Sequence, residues 1–145
     1  MNLNTTTNFN ILLVEDNQSD AILTEIALTD AKIPHKLMVV KNVNDGLDLM
    51  YQSNKFQNHS IVPDFVLLDL KLPEREGTDF LEIIKREERF NHVPIIILTT
   101  SNAPSDRQRC QNLAADGYIV KSVDLDKFIR DIQGIWSILD RSGIN

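Results

Sequence analysis

Residues 11–16 have the sequence Ile11-Leu12-Leu13-Val14-Glu15-Asp16, in which four apolar residues are followed by two acids. A second run, Phe65-Val66-Leu67-Leu68, also ends in an acid, Asp69. Continuous apolar runs of this length are typical of parallel strands that are buried on both faces. Ligands of an open parallel sheet bind beyond the carboxyl ends of its strands. We therefore predict that Glu15, Asp16 and Asp69 meet at one edge of a sheet.

Two later apolar runs end in polar residues of other types. Thr99 follows Pro94-Ile95-Ile96-Ile97-Leu98, and Lys121 follows Gly117-Tyr118-Ile119-Val120. Acids beside an ammonium and a hydroxyl are suited to bind a divalent cation and a phosphoryl group. Taken singly, each residue has an ordinary explanation, because Asp16 could cap a helix and Lys121 could simply be exposed. The four strand ends together favour a site for a divalent cation and a phosphoryl group.

Composition limits the class of protein. The chain has 145 residues, enough for one domain, and a net charge of −6, which argues against nucleic-acid binding. A single cysteine, Cys110, excludes an intrachain disulfide and favours a reducing, cytoplasmic location. The first residues do not resemble a signal peptide, and no apolar run is long enough to span a membrane.

Apolar runs alternate with helical patterns along the chain, which predicts βαβ units and a parallel sheet. We expect strands at Asn10–Val14, Leu37–Val40, Phe65–Leu68, Ile95–Leu98 and Tyr118–Val120. We expect one helix with Leu23, Ile26 and Ala27 at helical spacing, and others at Val43–Met50, Thr78–Arg89, Asp106–Leu113 and Leu125–Leu139. The first, third and fourth strands are the most apolar and therefore central. Right-handed crossovers then favour an α/β fold, a doubly wound five-stranded parallel sheet of order 2-1-3-4-5.

Four strings of the sequence, in this order, closely resemble response-regulator receiver domains of two-component signalling, whose fold is flavodoxin-like. They are Ile11-Leu12-Leu13-Val14-Glu15-Asp16-Asn17, Leu67-Leu68-Asp69-Leu70-Lys71-Leu72-Pro73 with Gly77, Leu98-Thr99-Thr100, and Gly117-Tyr118-Ile119-Val120-Lys121. The resemblance covers about residues 9–140. It implies a receiver domain over residues 9–145, preceded by a disordered or extended tail at residues 1–8. We expect no output domain after the last helix.

The resemblance also implies a role for each site residue. Asp69 is the phosphoacceptor. Asp16, Asp69 and the main-chain carbonyl of Lys71 bind Mg²⁺, and Glu15 acts through water. Three residues contact the phosphoryl group, namely Thr99, Thr100 and Lys121. Thr99 also forms the switch together with the aromatic residue Tyr118.

Finer details resemble the single-domain regulators of cyanobacterial phytochromes. These details are the long connection before Pro63, the string Leu98-Thr99-Thr100-Ser101, the pair Lys121-Ser122 and the ending near Trp136. The resemblance implies a partner histidine kinase of phytochrome type, and a protein that catalyses only its own phosphorylation and dephosphorylation. Two positions depart from the common receiver pattern. Ser122 stands where many receivers have a proline after a cis bond, and Lys71 places a long cation beside the phosphoacceptor.

Two other classes of function remain open. An aspartate-nucleophile phosphatase of haloacid-dehalogenase type would need a second acid two residues after Asp69, where this chain has Lys71. A receiver-shaped binding module that is never phosphorylated would not need the complete acidic set. Incubation with a small phosphodonor and Mg²⁺ separates the three classes.

The last predicted helix suggests self-association. One apolar stripe of this helix covers the sheet and consists of Leu125, Phe128, Ile132, Ile135 and Leu139. Ile129 and Trp136 lie beside this stripe. Ile129 and Trp136 either cover the edge of this stripe or face a partner, since exposed aromatic patches mark interfaces. Receivers commonly pair through helix four, strand five and helix five, so we predict a symmetric homodimer on that face.

Overall fold

The computed structural model of the protein describes residues 8–58 and 61–143. Within these residues, five parallel strands form one sheet in the order β2-β1-β3-β4-β5, which confirms the predicted fold class. The strands are β1 Phe9–Val14, β2 His35–Val40, β3 Phe65–Leu68, β4 Ile95–Thr99 and β5 Gly117–Val120. The predicted tail at residues 1–8 lies outside the described residues except for Asn8.

Helices cover both faces of the sheet. They are α1 Gln18–Asp30, α2 Val43–Tyr51, α3 Gly77–Arg86, α4 Pro104–Asn112, α5 Leu125–Gln133 and α6 Ile135–Arg141, with a short 3₁₀ helix at Asn54–Phe56. One face carries α2, α3 and α4, and the other carries α1, α5 and α6. No helix in the described part of the chain is long and apolar enough to cross a membrane.

The central strands are buried on both faces because their side chains alternate between two cores. In β1, Leu12 and Val14 point to the side of α2 and α3, whereas Ile11 and Leu13 point to the side of α1 and α5. Every residue of β3 and β4 is likewise buried. The apolar runs of the sequence therefore predicted the strands well, because a doubly covered strand needs no polar face.

Polar side chains fix the ends of several helices. Asn17 caps α1 by accepting a hydrogen bond from the amide of Asp20, and Asn42 caps α2 in the same way through Asp45. The chain leaves α1 through Lys32, whose φ is 61°, and enters β2 after Pro34. The caps place the first turns of α1 and α2 at the carboxyl edge of the sheet, where the site lies.

Two predicted helices end more than one residue away from their predicted ends. The helix expected to reach Arg89 ends at Arg86, because Glu87 is extended and the chain turns to bury Phe90 beside Tyr51. The last helix is interrupted at Gly134, which separates α5 from α6 and has no side chain to favour helical geometry.

Leu125 belongs to the predicted buried stripe, but in the structure it is 39% exposed because it is the first residue of α5, at the rim of the sheet. The other four residues of the stripe are buried as predicted: Phe128, Ile132, Ile135 and Leu139. Ile26 of α1 also points away from the core and is 43% exposed.

Candidate functional site

The register of the sheet places the acids side by side. Val14 of β1 is opposite Leu68 of β3, so Glu15 and Asp69 leave neighbouring strands at the same level. Carboxylate oxygens of Glu15, Asp16 and Asp69 all lie within 4.8 Å of one another. Glu15 and Asp69 are buried and Asp16 is exposed. Three oxygen ligands, one of them open to solvent, suit a hard divalent cation that keeps several waters.

Lys121 closes the other side of this acidic site. Its ammonium lies 2.5 Å from Oε1 of Glu15, 3.0 Å from Oδ2 of Asp20 and 3.1 Å from Oδ2 of Asp69. Only 9% of the Lys121 side chain is exposed. The lysine therefore neutralises part of a cluster of carboxylates that would otherwise repel one another.

Burial and charge shift the titration of these groups. Burial is the main cause that raises the pKa of Glu15 to about 7; the charge of Asp69 adds to this effect and Lys121 opposes it. Burial alone would lower the pKa of Lys121, but its three carboxylate partners raise that pKa above its ordinary value. The ammonium is thus charged at neutral pH, whereas Glu15 is poised between its two protonation states.

The backbone holds Asp69 in place. Its amide donates to the carbonyl of Val14 over 3.1 Å, and its Oδ1 accepts from the amide of Leu70 over 2.7 Å. Gly77 lies directly against it, because a Cβ atom at Gly77 would be 2.0 Å from the Asp69 carbonyl oxygen. The glycine of the sequence motif is therefore required by close packing on the loop that carries Asp69.

Thr99 and Tyr118 are connected through Ser101. Thr99 is buried at the end of β4, and its Oγ1 accepts a hydrogen bond from the Ser101 amide over 3.2 Å. The Tyr118 hydroxyl donates to the Ser101 carbonyl over 3.0 Å. The guanidinium of Arg107 lies 4.4 Å from the centre of the Tyr118 ring. These contacts connect the carboxyl edge of the sheet to α4.

The remaining predicted site residues lie around the opening. Thr100 and Lys71 are exposed. Among the described residues, the Lys71 ammonium has no hydrogen bond or ion pair. All peptide bonds of the described residues are trans, including the bond before Ser122. The Ser122 hydroxyl accepts from the amide of Asp124, which is the N-cap residue of α5.

Asp20 is a site residue that the sequence analysis missed. It lies in the first turn of α1, four residues after Asp16, which precedes the helix cap Asn17. The sequence signal was the spacing of these two acids beyond the first strand. The contact with Lys121 could not be read from it, because the two residues are 101 positions apart.

Ile129 and Trp136 are half-buried at the edge of the core rather than fully exposed. The Trp136 ring packs edge-on against Phe9, with 5.7 Å between ring centres. Much of both side chains therefore covers the edge of the apolar stripe, which is the first of the two alternatives given by the sequence. Their role in a dimer stays a prediction.

Comparisons with known proteins agree with this geometry. Residues 11–133 match the model of the response regulator receiver domain. The chain is 32% identical over 127 residues to the response regulator Rcp1 of a Synechocystis species, covering 88% of this chain and 86% of that protein. It is also 32% identical to a probable methanogenesis regulatory protein, FilR2, of Methanothrix harundinacea, covering 92% of this chain and 87% of the relative.

Two solved structures are similar over nearly the whole chain. One is the phosphorylated cyanobacterial phytochrome response regulator RcpA, with a TM-score of 0.80, 32% identity and coverage of 89% of this chain and 91% of that one. The other is the Mn²⁺-bound form of Rcp1, with a TM-score of 0.79, 32% identity and coverage of 89% and 92%. The chain therefore belongs to the response regulator receiver domain family, and it is a two-component signalling protein rather than a classical enzyme.

Proposed function

We propose that the protein is a phosphorylatable response regulator that accepts a phosphoryl group on Asp69 from a histidine kinase, with Mg²⁺ bound beside it. The observation that carries the proposal is the meeting of three carboxylates within 4.8 Å of one another with the charged Lys121 ammonium. A buried carboxylate at a strand end needs a partner or a function. Phosphoryl transfer requires this combination of a nucleophile and neutralising charges.

The metal would be held by Asp16, Asp69 and the Lys71 carbonyl, with Glu15 acting through water. When bound, Mg²⁺ neutralises charge on the phosphoryl oxygens and on the acids. The open, solvent-exposed position of Asp16 leaves room for the waters that Mg²⁺ retains. A relative of similar structure, Rcp1, has been solved with Mn²⁺ bound.

In the proposed reaction, a carboxylate oxygen of Asp69 attacks the phosphorus of a phosphohistidine. The new P–O bond forms as the P–N bond breaks, and the electron pair of the P–N bond returns to the imidazole nitrogen. The Leu70 amide fixes the carboxylate through Oδ1. Lys121, already 3.1 Å from Oδ2, is placed to contact a phosphoryl oxygen. Thr99 and the Thr100 amide would contact the others.

We propose a histidine kinase of phytochrome type as the donor. Support comes from the similarity to RcpA and Rcp1, the first of which is named as a phytochrome response regulator. The surface beside the site also suits a protein partner. A depression lined by Glu15 and Asp16 also contains exposed apolar side chains of α1 and β2, which are Ile22, Ile26 and Val39. Such patches mark interaction surfaces.

Phosphorylation would be read out on the face formed by α4, β5 and α5. A groove of about 670 Å³ lies on this face, and its lining includes Arg107, Tyr118 and Arg130. We propose that this face forms a symmetric homodimer, with Ile129 and Trp136 at its edge. Sedimentation should show a dimer for the wild type and a weakened dimer for Trp136→Ala and Arg130→Glu. Arg130 is exposed, so reversing its charge leaves the core intact. A wild type that stays monomeric, phosphorylated or not, would exclude the dimer.

The decisive experiment uses acetyl phosphate and Mg²⁺, and measures the mass of the intact protein. We expect a gain of one phosphoryl group in the wild type and none in Asp69→Asn. Asp126→Asn removes the same charge from the surface of α5 and should label normally. Labelling of Asp69→Asn would refute the phosphoacceptor. Continuous turnover of phosphoesters would favour the phosphatase alternative, and an inert wild type would favour the unphosphorylated binding module.

A further inference from the structure

The ammonium of Lys121 has a third partner that does not come from a strand end. A lysine ammonium has three N–H donors. Two of them contact Glu15 and Asp69, of which Asp69 is proposed to bind Mg²⁺ directly and Glu15 to act on it through water. The third contacts Asp20 of α1 over 3.0 Å. Lys121 and the metal therefore compete for two carboxylates, and Asp20 is the one partner of the lysine, within residues 8–58 and 61–143, outside that group of three acids.

The position of Asp20 is fixed by its helix. Its amide donates to the Asn17 side chain over 2.9 Å, which caps α1, and its carbonyl accepts from the Thr24 hydroxyl over 2.8 Å. The Asp20 side chain is 35% exposed, compared with 9% for Lys121. Asp20 thus holds the buried ammonium from the solvent side, while the other two carboxylates hold it from within the sheet.

We propose that Asp20 is a positioning residue for phosphoryl transfer, which holds the Lys121 ammonium at the edge of the acidic site and so leaves Glu15 and Asp69 available to Mg²⁺. The inference rests on the proposed function of that site. Without Asp20, the partners left to the ammonium in the described part of the chain are Glu15 and Asp69, both of which serve the metal site. The ammonium then binds both more closely, and Mg²⁺ must displace it at a greater cost in free energy.

The first test needs neither metal nor phosphodonor. In EDTA at one fixed pH, nitrogen-15 NMR of the lysine side chains should show a slowly exchanging ammonium for Lys121, because its protons are held by three carboxylates. Asp20→Asn should shift this signal and speed its exchange with water, and Asp20→Glu should restore much of both. Asp30→Asn, which removes the same charge from the other end of α1, should leave the signal unchanged.

The second test measures Mg²⁺ affinity in a double-mutant cycle. Asp20→Asn should weaken Mg²⁺ binding roughly threefold or more, less than the roughly 10–100-fold effect of losing an outer-shell partner that contacts a metal ligand directly. In a Lys121→Met background the same change should have almost no effect, because Asp20 acts through the lysine.

Each outcome decides a separate point. An unchanged Lys121 signal in Asp20→Asn would overturn the positioning role. Equal losses of Mg²⁺ affinity in both backgrounds would show that Asp20 acts only by its charge, and would overturn it as well. A wild type that binds no Mg²⁺ would refute the proposed function of the site, whereas the NMR result would still decide whether Asp20 positions Lys121.

Discussion

The Tyr118 hydroxyl donates a 3.0 Å hydrogen bond to the main-chain carbonyl of Ser101. The amide of the same serine donates to Oγ1 of Thr99, so the two residues of the proposed switch are joined by a single peptide segment. Any movement of the Thr99 hydroxyl toward a phosphoryl group must give up its bond to Ser101. The Ser101 segment then loses one of its contacts, while the Ser101 hydroxyl still donates to Asp106 of α4. A ligand shifts such an equilibrium only through contacts that differ between the two states.

Replacing Thr99 with alanine should uncouple phosphorylation from Tyr118. Thr99→Ala still has Asp69 and should accept the phosphoryl group, more slowly because one hydrogen bond to it is lost. Hydrogen exchange of residues 101–118 should then change little on phosphorylation. Thr99→Ser retains the hydroxyl and should behave like the wild type. Exchange changes in Thr99→Ala as large as those of the wild type would rule out this coupling.

Mg²⁺ should stabilise the folded protein through the acids. A ligand at about ten times its Kd adds about 1.4 kcal/mol to the free energy of unfolding. For a chain of this size that is a rise of about 3–6 °C in Tm. Asp16→Asn should show a smaller rise, and Asp126→Asn should match the wild type. The proposed ligand set would be wrong if Asp16→Asn gave the full shift in calorimetry.

Glu15 should make the metal-free protein less stable as the pH rises from about 4.5 to about 7. Its ordinary pKa is 4.5, and in the fold it is raised to about 7, so over this interval the folded state binds the extra proton. Stability falls with rising pH wherever the folded state binds more protons. The full contribution is at most about 3 kcal/mol, at 1.36 kcal/mol per pKa unit.

Denaturant unfolding in EDTA at pH 5 and pH 7.5 measures this effect. We expect the decline between the two pH values to be smaller in Glu15→Gln than in the wild type. The raised pKa of Lys121 does not interfere, because a raised lysine pKa contributes stability that is lost only at alkaline pH. Equal declines in the two proteins would show that Glu15 titrates normally.

Most of the fold and much of the site were predictable because strand ends are strongly encoded. A doubly covered strand is a continuous apolar run, so the polar residue that ends it identifies the edge of the sheet, as at Asp69 and Thr99. The order of the strands followed from their relative hydrophobicity and from handedness. These are local or topological properties, and sequence patterns record them directly.

Contacts between distant side chains were not predictable in this way. The bond from Lys121 to Asp20 depends on how far α1 leans over the sheet, and no local pattern specifies that. The placement of the Arg107 guanidinium on Tyr118 likewise joins a helix to a strand. Two helix ends also differed from those predicted, because the extended backbone at Glu87 and the interruption at Gly134 depend on the surrounding packing.

Gly77 should be sensitive to the smallest substitution. A Cβ atom there would lie 2.0 Å from the Asp69 carbonyl oxygen, so Gly77→Ala must displace the loop that carries the proposed phosphoacceptor. We expect a loss of about 2–3 kcal/mol in the free energy of unfolding, as for other overpacked sites. Gly134→Ala is the matched control, because its φ of −61° suits alanine and a Cβ there would be 3.1 Å from the nearest atom, the Asp131 carbonyl oxygen; it should change stability by less than about 1 kcal/mol. Equal effects in thermal unfolding would contradict this reading of Gly77.

Lys71 should lengthen the life of the aspartyl-phosphate. Its side chain is exposed two residues after Asp69, and within the described residues no ion pair holds it elsewhere. It is therefore free to lie over the phosphoryl group and hinder the attacking water. Lys71→Asn should hydrolyse about threefold faster, a change of roughly 0.7 kcal/mol in the barrier. Lys32→Asn is the control for charge, because Lys32 is exposed at the opposite edge of the sheet, between α1 and β2, and asparagine tolerates its φ of 61°. The measurement is the decay of phosphorylated protein after removal of the phosphodonor. A decay rate of Lys71→Asn equal to that of the wild type would mean that Lys71 simply extends into solvent.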